Sequence, residues 1–77
     1  MSINQTCYDL LEKIVNMDKV SFNLCNGLLG YGANCNANSY PSALQTITQF
    51  LNDKGFNDED KLKYINAFQY GFMLSTK

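Results

Sequence analysis

The strongest nucleophiles in this chain are three cysteines, Cys7, Cys25 and Cys35, and no histidine accompanies them. Without an imidazole to carry the proton, neither a Ser-His-Asp nor a Cys-His arrangement can be assembled. Histidine-containing zinc sites are excluded as well, and three thiolates cannot complete a four-cysteine site. A cysteine acting alone needs a cationic neighbourhood to lower its pKa. The sequence around Cys25 and Cys35 has no charge, because nothing between Val20 and Asn52 is ionised, 33 residues of 77. An enzyme using Cys25 or Cys35 as nucleophile is therefore a poor reading. The plainer expectation is small buried apolar side chains. The sharper one is a Cys25–Cys35 disulfide closing a glycine-rich loop.

Other chemistry-bearing patterns are weaker still. Gly27, Gly30 and Gly32 have neither phosphate-loop spacing, and no lysine follows them. The acids Asp53, Asp58, Glu59 and Asp60 resemble a calcium loop only in composition. Counted from Asp53, the sixth position is Asp58 where a glycine is needed, and the twelfth is Tyr64 where an acid is needed. Asp58, Glu59 and Asp60 fit the first turn of a helix, where the helix dipole favours negative charge. They form a second candidate contact, for a basic partner. No metal and no cofactor is expected.

Composition narrows the partner. The six cations are all lysines, dispersed at Lys13, Lys19, Lys54, Lys61, Lys63 and Lys77, and seven acids lie among them. There is no basic patch and no arginine to grip phosphate or guanine, so direct nucleic-acid binding is not expected. No apolar run approaches the length of a membrane span, and the first residues lack the basic-then-apolar order of a signal peptide. A cytoplasmic protein is the default, with a mature secreted fragment as the other option.

The elements follow from periodicity. Ile3, Cys7, Leu10, Leu11, Ile14 and Val15 form a helical stripe over about Ile3 to Met17, with Ser2 and Gln5 as a capping box, Thr6 and Asp9 as a second choice, and Asp9–Lys13 as an outer-face pair. Lys19 to Tyr31 reads two ways. As a helix it is capped by Asp18, carries Val20, Leu24, Leu28 and Tyr31 on one face with Phe22, Cys25 and Leu29 beside them, and stops at Gly30 and Gly32. As a hairpin it turns at Asn26-Gly27. The helix is preferred because Leu28-Leu29 breaks the alternation. Gly32 to Tyr40 reads as a loop. Pro41 to Lys54 reads as a helix closed by Gly55, and Asp58 to Leu74 as a helix capped by Asn57.

The expected architecture is a single domain over residues 1–77. It is all-α, a compact bundle of three to four short helices with one Gly/Asn-rich loop. An α+β fold with a hairpin at 20–31 is the alternative. The expected function is non-enzymatic: a small protein-binding domain that inhibits or antagonises a partner protein, in the manner of phage- or plasmid-type inhibitors and immunity proteins. Neutral Tyr, Asn and Gly surfaces make adaptable contacts with little charge to desolvate. The contact residues expected on that ground are Tyr31, Asn34, Asn36, Asn38 and Tyr40. The alternative is a self-associating structural or regulatory domain, a homodimer closed through Tyr64, Phe68, Tyr70 and Phe72 of the last helix.

Overall fold

The computed structural model describes residues 5–75. Four helices account for most of them: α1, Gln5–Val15; α2, Val20–Ala33; α3, Tyr40–Asp53; and α4, Asp58–Ser75. The all-α expectation holds, and no strand occurs among the described residues. Ser2 and Ile3, the expected start of the first helix, lie outside the described residues. No described helix is long and apolar enough to cross a membrane.

Residues 20–31 are helical, not a hairpin. Asn26-Gly27 sits inside α2 rather than in a turn, because Leu24 and Leu28, four apart, are both fully buried on one face. Two details of α2 differ from expectation. Asp18 does not cap it. Lys19 is the cap residue, in a left-handed conformation (φ 56°), and no side chain completes the cap. The Asp18 carbonyl accepts a bond from Asn23 Nδ2 at 2.7 Å instead. Gly30 and Gly32 do not stop the helix either. It runs on to Ala33, and Asn34 closes it, its backbone N–H and its Nδ2 both donating to the Gly30 carbonyl.

The later boundaries match their sequence signals. The Phe56 N–H reaches the Leu51 carbonyl and the Gly55 N–H the Asn52 carbonyl, the two bonds of a Schellman ending, with Gly55 at φ 76°. Asn57 Oδ1 accepts the Asp60 N–H at 2.8 Å and caps α4.

The helices assemble around a tight parallel pair. Lys63 Nζ of α4 donates to Ser21 Oγ near the start of α2. Further along, Gly32 lies against the backbone of Phe68 and Phe72, and Gly71 against the backbone of Leu29 and Ala33. α1 runs antiparallel to α2, with Ile14 over Gly27 and Cys7 beside Tyr31. α3 folds back on α4 through the short Gly55 turn. Leu24, Leu28, Ile47, Phe50, Leu51 and Phe68 are fully buried between these layers. Thr46, the one buried polar residue among those described, donates its hydroxyl to the Ser42 carbonyl at 2.9 Å. Leu10 and Phe22, counted on apolar faces from their spacing, are instead exposed, because no neighbouring helix covers them.

The glycines make a sharp test. A Cβ at Gly32 or Gly71 would overlap a backbone carbonyl of the facing helix, which no side-chain adjustment can relieve. Gly32→Ala and Gly71→Ala should each destabilise by about 3 kcal/mol or more in urea unfolding. Gly30 has open space around its Cβ position. Gly30→Ala should stabilise by about 0.5–1 kcal/mol, as expected for an exposed helical glycine.

Candidate functional site

The structure separates the five residues expected to form a contact loop. Asn36 and Asn38 are exposed, in a turn built from its own polar groups. Asn36 Oδ1 accepts the N–H of Asn38 and of Ser39, each at 2.9 Å, while Ser39 Oγ accepts the Asn36 N–H at 3.0 Å. That reciprocal pattern has the form of a capping box, set one turn ahead of α3, whose own cap residue Ser39 makes no side-chain cap bond. The Tyr40 N–H also bonds to the Asn36 carbonyl, so the turn leads directly into α3. The segment is short and self-bonded, with its amide oxygen already in use.

The two tyrosines have packing roles. The Tyr40 ring stacks on Phe68 with centroids 5.3 Å apart and lies 4.3 Å from Phe72. The Tyr31 ring lies 6.0 Å from Phe68, and its hydroxyl is hydrogen-bonded to Cys7 across the α1–α2 interface. Burial, and after it the bond to Cys7, pushes the Tyr31 hydroxyl well above its ordinary pKa. Burial likewise pushes the Cys7 thiol up, with the Tyr31 bond opposing it. Cys7 is therefore protonated at neutral pH and a poor nucleophile. No disulfide joins Cys25 to Cys35; all three cysteines are thiols.

Tyr31 and Asn34 do share a site, although with α1 rather than with the loop. They line one end of a groove of about 420 Å³ between α1 and α2. Cys7, Leu10, Leu11 and Ile14 of α1, with Met17 just past its end, form its wall, with Gly27 of α2 at its far end and Lys13 on the rim. The groove is apolar, and its α1 edge carries Leu10 at 50% and Met17 at 56% exposure. Tyr31 and Cys7 satisfy each other, so the floor presents apolar surface. The periodicity of α1 signals Cys7, Leu10, Leu11 and Ile14. It does not tell which of them a neighbouring helix covers, and this is why Leu10 reads as core; Met17, beyond the last turn of α1, goes unremarked.

The acidic candidates lie at the opposite end of the bundle. Asp58, Glu59 and Asp60 open α4 as expected, but Asp58 pairs with Lys61 at 3.3 Å and Asp60 with Lys63 at 3.8 Å. Those lysines follow one turn later and offset the charge of the cluster. No group of three or more cysteine, aspartate or glutamate side chains among the described residues could hold a metal ion.

A polar junction between α1 and α3 was not anticipated from the sequence. Tyr8 Oη donates to Asp53 Oδ2 at 2.6 Å, Gln49 Nε2 donates to Asp53 Oδ1 at 2.7 Å, and Lys54 pairs with Glu12 at 2.8 Å. The Tyr8 ring meets Phe50 edge-on at 5.2 Å. Asp9, expected to pair with Lys13, accepts a bond from Gln5 instead.

Comparison with protein-family models, with curated proteins and with solved structures gave no match to this chain.

The junction sets a pH dependence. Its bond to Asp53 raises the Tyr8 hydroxyl from the ordinary value of 10.0 to about 12, and the same bond, with Gln49, lowers the Asp53 carboxyl. A raised tyrosine pKa contributes stability that is complete below the unfolded value and is lost as pH rises through the folded one. The lowered carboxyl contributes above the ordinary value of about 4 and fades as pH falls through its folded value. The stability advantage of the wild type over Tyr8→Phe should therefore be constant between about pH 5 and 9 and shrink from pH 10 towards 12. Urea titrations across that range measure it. An advantage that stays level to pH 12 would refute the assignment.

Proposed function

We propose that this protein is a non-enzymatic binding domain that acts by occupying the surface of another protein, as an inhibitor or antagonist does. The observation that carries the reading is the apolar groove between α1 and α2, with exposed Leu10 and Met17 along its edge. Large apolar side chains flanking a concave apolar surface are the usual anchor points of a protein contact. The groove would receive one or two apolar side chains of the partner. Asn34 lines its Tyr31 end and would supply a polar contact at the margin, and Asn36 and Asn38 follow in the exposed turn between α2 and α3. Tyr31 contributes the groove floor, and Tyr40 holds the neighbouring turn against Phe68.

A second reading rests on a different observation. Leu62, Tyr70 and Met73 are exposed along the outer side of α4, and the sequence from Tyr64 to Ser75 has no charge. A homodimer through this side would bury a neutral, self-compatible surface. Its contacts would differ from those expected from composition, since Tyr64 and Phe68 belong to the core and Phe72 packs on Tyr40.

Affinity capture from the source cell, using four forms of the protein, separates the two. A partner retained by the wild type and by Met73→Asp but lost by Leu10→Asp and Met17→Asp is the expected result. All three positions are exposed, so these variants should stay folded, which circular dichroism checks. Loss through Met73→Asp alone, together with a wild type that sediments as a dimer, would favour self-association and overturn the groove reading.

A further inference from the structure

We propose that the α1–α2 groove binds a single-chain amphiphile with an anionic head, of the fatty-acid type, the alkyl chain lying in the groove and the carboxylate meeting Lys13. The proposal builds on the reading of the groove as the binding face and adds a ligand of defined chemistry. Two features select this occupant. The first is shape. The groove is a slot between two packed helices, with Leu10, Leu11, Ile14 and Met17 along one side. Its volume of about 420 Å³ lies at the small end of ligand sites. A slot of this size accepts an alkyl chain more readily than a whole helix. The second is charge. Lys13 is the one ionised side chain lining the groove and makes no ion pair among the described residues. Its place on α1, between Leu10 and Met17, puts a cation at the rim beside apolar wall. An apolar slot with a cation at its edge complements a hydrocarbon chain ending in a carboxylate.

The floor suits the same ligand. Its polar atoms, the Tyr31 hydroxyl and the Cys7 thiol, are bonded to each other and require nothing from the occupant. Gly27 has Ile14 Cδ1 only 2.8 Å from where its Cβ would stand, so a side chain there would displace Ile14, which lines the slot.

The test is an NMR titration of ¹⁵N-labelled protein with dodecanoate, dodecanol and dodecyltrimethylammonium, each below its micelle concentration. Saturable shifts at Leu10, Lys13, Ile14 and Gly27 with dodecanoate are expected, tightening by about fourfold for each methylene added from octanoate upward. Lys13→Gln should weaken dodecanoate by about threefold and leave dodecanol unchanged. Leu10→Asp should abolish both. Absence of saturable shifts, equal binding of the cationic amphiphile, or shifts of the same size at Leu62 and Met73 would overturn the proposal. The outcome is separable from that of the protein-contact reading. Partner loss in Leu10→Asp with no dodecanoate binding leaves the groove as a protein contact and removes the ligand. Dodecanoate binding with partner capture unaffected by Leu10→Asp does the reverse.

Discussion

The fold depends on the close approach of α2 and α4 at Gly32 and Gly71. Each glycine presents bare backbone to the other helix, and a methyl group at either position would collide with a carbonyl oxygen. Bringing two parallel helices this near is possible only where neither has a side chain at the crossing. Consequences follow in both directions along the pair. Leu24 and Leu28 of α2 and Phe68 of α4 are drawn into full burial on the inner side. The start of α2 comes within reach of Lys63. With these two helices fixed, α1 and α3 can only occupy the flanks, where they meet through Tyr8, Asp53, Glu12 and Lys54.

The same crossing explains why the glycine-rich stretch is helical. Gly30 and Gly32 are poor helix formers in isolation. At Gly32 that local cost is offset by the packing that a larger residue would prevent. α2 therefore extends to Ala33, and Tyr31 remains on the helix instead of joining the loop. From that position it reaches both Phe68 and Cys7. Tyr40 packs on Phe68 and Phe72 from the other side of the turn. Two aromatic rings in a neutral stretch thus belong to the core margin, and the asparagines between them to a self-capped turn. Part of the missing charge in the middle of the chain is accounted for by this burial.

The groove arises where α1 leans on α2 without covering it. Gly27 lets Ile14 settle close to the α2 backbone, while Leu10 of α1 and Met17 just past its end stay exposed beside the contact. Cys7 and Tyr31 close one end with a mutual hydrogen bond. The result is an apolar recess with a lysine at its rim, in a domain where Glu12, Lys54, Asp58, Asp60, Lys61 and Lys63 pair along or between helices. Both functional proposals draw on this one asymmetry in the packing.

By itself the sequence determined the helices and most of their ends. The Cys7–Leu11–Ile14 spacing, the Gly55 stop, the Asn57 cap with Asp58, Glu59 and Asp60 behind it, and Pro41 in the first turn of α3 are local signals, each acting within one or two turns of backbone. The choice of helix over hairpin at 20–31 was also legible, from Leu28-Leu29. Only the tertiary structure decided the role of Gly32 and Gly71, because their partners lie some forty positions away in the chain. It alone decided that Asp53 bonds to Tyr8 and that Leu10 stays exposed while Leu11 is buried. The candidate site was half legible for the same reason. Tyr31 and Asn34 stood out by composition. Leu10, Lys13 and Met17 did not, since periodicity marks an apolar face and only the neighbouring helix determines how much of that face is covered.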